Sequence, residues 1–137
     1  MNSERGSVTI WMLGLCLMML LLGGLSLDLW RAFSDRRSLA SAADAAAVAG
    51  ASAIDIDTFR ATNEVQLNPE LAEARARASL AAQLDQRALR GARIQADLHH
   101  VVVEAQGRVE FTLLNLIAPG DNFEVRVRAT AEPRASG

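Results

Sequence analysis

Lysine and tyrosine are absent from this 137-residue chain, and cysteine occurs once, as Cys16. One cysteine permits no intrachain disulfide and no multi-cysteine metal site, so any folded part must be held by packing alone. The 14 basic residues are all arginines, interspersed with 16 acidic residues for a formal net charge of −2. No basic block is present to neutralise a row of phosphates, which removes nucleic acid from the expected partners. The lack of lysine and tyrosine beside abundant alanine fits GC-rich coding better than a binding requirement. Histidine is nearly absent too. His99 and His100 are neighbours, and in an extended strand they point to opposite faces, so they cannot jointly ligate one metal. Gly23-Gly24 lies inside an apolar run, where a phosphate-binding loop has no place. With no nucleophile–base pair, metal cluster or phosphate cradle, the sequence predicts neither an enzyme nor a bound cofactor.

What the chain does have is a run of twenty residues without a charge, 8–27, containing eight leucines. That is the length needed to cross a hydrocarbon core of about 30 Å as a helix. Eight leucines contribute on the order of −4 kcal/mol to insertion, with no central charge opposing them. Trp11 and Trp30 stand near the two ends, where indole rings anchor at the interfaces. The run is too long for a secretory signal, and no small-x-small cleavage site follows it directly; Leu27-Asp28-Leu29-Trp30 does. Leu15 precedes Cys16, which is not the small residue a lipoprotein signal requires. The lipid bilayer is therefore the first expected partner, contacted by a retained single-pass anchor. Only Arg5 precedes the run, while Arg31, Arg36 and Arg37 follow it. Taken alone, that bias places the C-terminal part in the cytoplasm.

Past Trp30 the helix is expected to continue outward, since no proline occurs and Gly50 is the only glycine before Asp55. Residues 40–53 hold nine alanines and make a smooth, strongly helix-prone segment suited to close packing, against its own domain or a neighbouring subunit. Asp28 at the membrane boundary, with Arg31 three residues on, either pairs locally at the interface or serves assembly. Asp44 either faces water or sets the register of a helix contact, and Ala47 and Gly50 share the same smooth segment.

Downstream, Glu64-Val65-Gln66-Leu67 reads as a brief strand, and Asn68-Pro69 as the start of a second helix reaching about Arg90 and closed by Gly91. Leu71, Ala74, Ala78, Ala82 and Leu89 fall on one face of that helix, with Leu80 and Leu84 nearly opposite. The period then becomes two. Ile94, Ala96 and Leu98 alternate, Val101-Val102-Val103 is continuously apolar, and Gln106-Gly107-Arg108 reads as a turn into a strand at 109–114. After the turn signal Pro119-Gly120-Asp121-Asn122, Phe123, Val125, Val127, Ala129 and Ala131 alternate with polar residues, as in a half-buried antiparallel strand. The fold class is α+β: a long membrane-spanning N-terminal helix continuing outward, a shorter second helix, and an antiparallel sheet of three to four strands. The expected divisions are a leader or tail at 1–6, the span at 7–30, its alanine-rich continuation at 31–54, a small α+β domain outside the bilayer at 55–132, and a disordered tail at 133–137.

Three stretches together resemble the TadE/TadG-like proteins, pilin-like membrane components of Flp, or tight-adherence, pilus systems. They are Glu4-Arg5-Gly6-Ser7-Val8-Thr9 entering the apolar run, then Leu27-Asp28-Leu29-Trp30-Arg31, then Ala42-Ala43-Asp44-Ala45-Ala46-Ala47-Val48-Ala49-Gly50-Ala51. The resemblance implies a non-enzymatic assembly component, with other pilus or secretion-system subunits and self-association as its partners. It also implies a cell-membrane location with the N-terminus in the cytoplasm and the domain outside, against the arginine count. Pilin-like proteins are often trimmed after a glycine preceding the helix, which maps onto Gly6 with Ser7 as the new N-terminus. The glutamate common five residues after such a cut is replaced here by Trp11. Apart from the resemblance, the residues also suit a membrane-tethered binding or sensing module unrelated to pili.

Overall fold

The computed structural model describes residues 4–109 and 123–134. Among these residues four helices and three strands follow in order: α1 (Glu4–Ala51), α2 (Ile56–Thr62), α3 (Pro69–Gln83), α4 (Gln86–Gly91), β1 (Arg93–Ala96), β2 (Val101–Val109) and β3 (Phe123–Ala131). The strands form one antiparallel sheet in the order β1-β2-β3. This is the expected α+β architecture. Two compact units divide α1 after Ser34.

The first unit contains α1 up to Ser34. From Ser7 onward α1 is long and apolar enough to cross a bilayer, and none of its most apolar stretch is buried by protein. A core helix of a water-soluble domain would have its apolar side chains covered. Here Trp11, Leu13 and Leu20 are more than two-thirds exposed. Inside hydrocarbon every polar group must be satisfied locally. Ser26 does this by donating from Oγ to the carbonyl of Leu22 at 2.8 Å. Gly23 and Gly24 do not interrupt the helix.

In the second unit, the remainder of α1 presents Leu39, Ala42, Ala43, Ala46, Ala47, Gly50 and Ala51 on one buried face. Their spacing is that of successive helical turns. They meet Ala72, Ala76 and Leu80 of α3 and the inner sheet residues Val101, Val103, Ala105 and Ala129. A Cβ on Gly50 would lie 3.0 Å from the carbonyl oxygen of Ala72 and from Val101 Cγ1, and 3.3 Å from Ala76 Cβ. Alanine and glycine let the two helices and the sheet approach this closely, and the smooth segment is used within its own domain.

The second helix differs from its sequence reading in two ways. It starts as expected, with Asn68 accepting from Leu71 N–H at 3.1 Å and Pro69 in the first turn. It then breaks at Leu84, which is extended, and Asp85 caps α4 by accepting from Ala88 N–H at 2.9 Å. An aspartate competing for backbone N–H groups ended a helix that apolar spacing alone would carry to Arg90. The break lets Leu84 and Leu89 both pack against the core. The buried face is also not the one centred on Leu71, Ala74, Ala78 and Ala82, which are exposed; it is Ala72, Ala76 and Leu80. Where most candidates are small, the approach of α1 selects the face.

Three further expectations are corrected. Helix α2 is added, capped by Asp55, which accepts from Asp57 and Thr58 N–H, and closed by Asn63 in the left-handed region at φ 59°. The strand expected at Glu64-Val65-Gln66-Leu67 reduces to a single bridge between Ile54 and Leu67. Gln106-Gly107-Arg108 is no turn, because β2 runs through it and pairs residue by residue with β3, from Val101↔Ala131 to Val109↔Phe123. Gly107 serves a close approach instead: Leu39 Cδ2 lies 3.0 Å from where its Cβ would sit. The rest of the strand expected at 109–114, and the turn at 119–122, lie outside the described residues. In β3 the expected alternation holds, with Val125, Val127, Ala129 and Ala131 inward and Glu124, Arg126, Arg128, Thr130 and Glu132 exposed.

Candidate functional site

The candidate residues fall on three parts of α1. At its start, Gly6 and Ser7 lie in the first two turns, where unpaired N–H groups let a helix fray open. Trp11 and Trp30 are 78% and 68% exposed. Asp28 is different. It is 3% exposed between the exposed Leu27 and Leu29, the one buried charged residue among those described. A carboxylate withdrawn from water must be engaged by polar or charged groups. Asp28 and Arg31 each make such an interaction.

Further along, the alanine-rich segment separates into two faces. Ala47 and Gly50 are buried against α3 and the sheet, so their smallness serves internal packing. Asp44 lies on the opposite face with Ser41, Ala45 and Val48, all exposed. On that side Ser52 accepts from Arg75 Nη1 through its carbonyl at 2.9 Å and its Oγ at 3.1 Å, which ties α3 to the end of α1.

The two histidines are not on opposite faces of a strand, as expected. They lie exposed in the connection between β1 and β2. Asp97 organises this connection by accepting the N–H groups of His99 and His100, each at 2.8 Å, and it meets His100 Nε2 at 3.1 Å. Those two N–H groups, then the neighbouring imidazoles, hold the Asp97 carboxyl below its ordinary range. Among the described residues no three His, Cys, Asp or Glu side chains gather as a metal site requires.

One feature has no signal in the sequence. A cleft of about 130 Å³ opens beside α1, bordered by Asp35, Arg36, Ser38 and Arg108, with Leu39, Leu84 and Val125 among its apolar lining. Arg36 and Arg108 belong to different elements, and only the packing of β2 along α1 makes both border one cleft; the pairing of Arg108 with Glu124 puts its side chain on the exposed face of the sheet.

These elements combine an unburied apolar helix, a buried boundary carboxylate and an alanine-lined continuation inside a small domain, all on one continuous helix. No curated protein and no solved structure matches the chain. A family match exists, and it covers this helix: residues 6–53, from the start of the apolar run to the end of the alanine-rich segment, match the family described as Flp pilus-assembly TadE/G-like. Over residues 6–53 this chain is similar to the Flp pilus-assembly TadE/G-like family, and the match does not extend to α2, α3, α4 or the sheet.

Proposed function

We propose that the protein is a minor pilin-like or accessory component of an Flp/Tad-type pilus assembly or secretion system in the cell membrane. Its N-terminus is cytoplasmic, its domain is outside, and it acts by packing against other membrane subunits and against itself, not by catalysis. The observation that carries this reading is the continuity of α1 from the apolar run into the core of the domain. A flexible tether would suffice to hold a binding module near a membrane. A helix whose first part suits a membrane and whose last part is a core element of the domain gives the anchor a structural role, which suits an assembly subunit.

With Ala47 and Gly50 occupied internally, the face of α1 left for partners is the one carrying Ser41, Asp44 and Val48. Photocrosslinking in cells from residues 41, 44 and 48 tests this. Adducts with pilus or secretion subunits, or with a second copy, are expected from these positions and not from the buried 43 or 46. A chain that yields no adduct from any exposed position would sink the proposal. Orientation is tested separately by a C-terminal alkaline phosphatase fusion, which should be active. An inactive, well-expressed fusion would overturn the external placement.

A further inference from the structure

The free edge of the sheet carries an inference that deepens the assembly reading and rests on it. We propose that β3 takes up an extended segment of a different subunit as an added strand, one that alternates small apolar residues with acidic ones. β3 is an edge strand in the order β1-β2-β3, and its nine residues exceed the usual strand length. In an antiparallel pair, alternate residues direct their N–H and C=O groups away from the neighbouring strand. Among the described residues β2 is the only strand that pairs with β3, and no hydrogen bond outside that ladder engages the β3 backbone. Natural edges are guarded by shortness, proline, a bulge or a charge turned inward. β3 has none of these from Glu124 to Ala131: its pairing with β2 runs one to one, no proline interrupts it, and Val125, Val127, Ala129 and Ala131 are the residues turned inward. The other edge, β1, is only four residues long.

The side chains of β3 select the kind of strand that fits. On the exposed face Glu124 stands opposite Arg108, and Arg128 stands opposite Glu104, whose carboxylate lies 3.9 Å from Arg128 Nε. Arg126 stands opposite Gln106, so its charge has no carboxylate across the ladder. An acidic residue on the incoming strand supplies one, because opposite charges directly across a strand pair stabilise it and like charges destabilise it. On the inner face Val127 and Ala131 are only partly buried although they pack against the core. Small or β-branched apolar residues beside them complete their cover. The free edges of a second copy match less well: β1 is short and has Arg93 on its exposed face, and the middle of β3 carries Arg126 and Arg128. The occupant is therefore a different chain. Its backbone supplies affinity through the ladder, and its acidic alternation supplies selection.

The test uses the full detergent-solubilised chain and three synthetic peptides: one alternating valine with glutamate, the same peptide with arginine for glutamate, and the glutamate peptide N-methylated at every residue. Amide hydrogen exchange reads the outcome. The glutamate peptide should slow exchange at alternate amides of residues 124–131 and leave 93–96 unchanged. The arginine peptide should bind roughly fivefold more weakly, and the methylated peptide, which cannot donate to a ladder, should not bind. Arg126→Glu should reverse the preference between the two charged peptides. Equal binding of the methylated peptide would reduce the contact to charge alone and overturn strand addition. Equal binding of the two charged peptides, protection away from β3, or no binding of the glutamate peptide at millimolar concentration would each overturn the proposal. Concentration-dependent protection of the same amides without peptide would also overturn it, since the edge would then belong to a second copy. The peptide series needs no variant, so the proposal stays testable if Arg126→Glu prevents folding. Crosslinking from residues 41, 44 and 48 reads a different surface, so a failure at β3 is separable from a failure of the assembly reading.

Discussion

Replacing Gly50 by alanine adds one methyl group where α1 closely approaches α3 and β2. That methyl would sit 3.0 Å from the Ala72 carbonyl oxygen, 3.0 Å from Val101 Cγ1 and 3.3 Å from Ala76 Cβ. Val101 can shift, but the Ala72 oxygen belongs to the backbone of α3 and cannot rotate away. The helices must therefore separate by several tenths of an ångström, which loosens Ala46, Ala47, Ala72 and Ala76 together. Overpacking of this kind costs about 1–3 kcal/mol. The gain in helix propensity from glycine to alanine is at most ~1 kcal/mol, and less at position 50, one residue from the end of α1. The net expectation is a loss of about 1–2 kcal/mol, or roughly 4–16 °C in melting temperature for a domain of about a hundred residues. Far-UV circular dichroism of the detergent-solubilised chain measures this. Gly14→Ala and Gly23→Ala, where nothing lies within 4 Å of an added Cβ, are the controls and should be neutral or slightly stabilising. A Gly50→Ala chain as stable as these controls would refute the account of close packing at the crossing.

Gly107→Ala should cost less than Gly50→Ala in the same melting experiment, because its added methyl meets the movable end of Leu39 and the strand gains from losing a glycine. Leu80→Ala, at a fully buried position in a small core, should destabilise by about 2–5 kcal/mol in denaturant titration. Two arginines placed at Leu20 and Leu21 would cost roughly 5–7 kcal/mol of insertion against the ~4 kcal/mol that the leucines supply, so the chain should become extractable from membranes by alkaline carbonate. Asp97 and Asp55 are both held below their ordinary pKa by backbone N–H groups, of His99 and His100 in one case and chiefly Thr58 in the other. Such a group contributes its full stabilisation above the unfolded carboxylate pKa of about 4, and loses it as pH falls through the lower folded value. Melting temperature should therefore fall more steeply below about pH 4 in the wild type than in Asp97→Asn, whose amide oxygen can still accept both N–H groups.

The sequence by itself determined the features that depend on local chemistry or on one-dimensional period. An uncharged run of twenty residues needs only its length and composition to partition into lipid. Asn68-Pro69 begins α3 because the cap is a contact within one turn. β3 alternates because a strand with one covered face must. The signals at Asp55, Asn63 and Asp85 are equally local and were legible in principle, yet helix-prone neighbours and short lengths masked them. Tertiary structure decided the rest. Gly107 is compatible with a turn or a crossing, and the approach of Leu39 chose the crossing. The alanine-rich segment carries almost no directional signal, so which face is buried, and that Ala47 and Gly50 turn inward while Asp44 turns out, depended on where α3 and β2 lie. Arg36 and Arg108 share a cleft only because β2 packs antiparallel to α1. Contacts between residues distant in the chain are set by shape and volume, which no local pattern encodes.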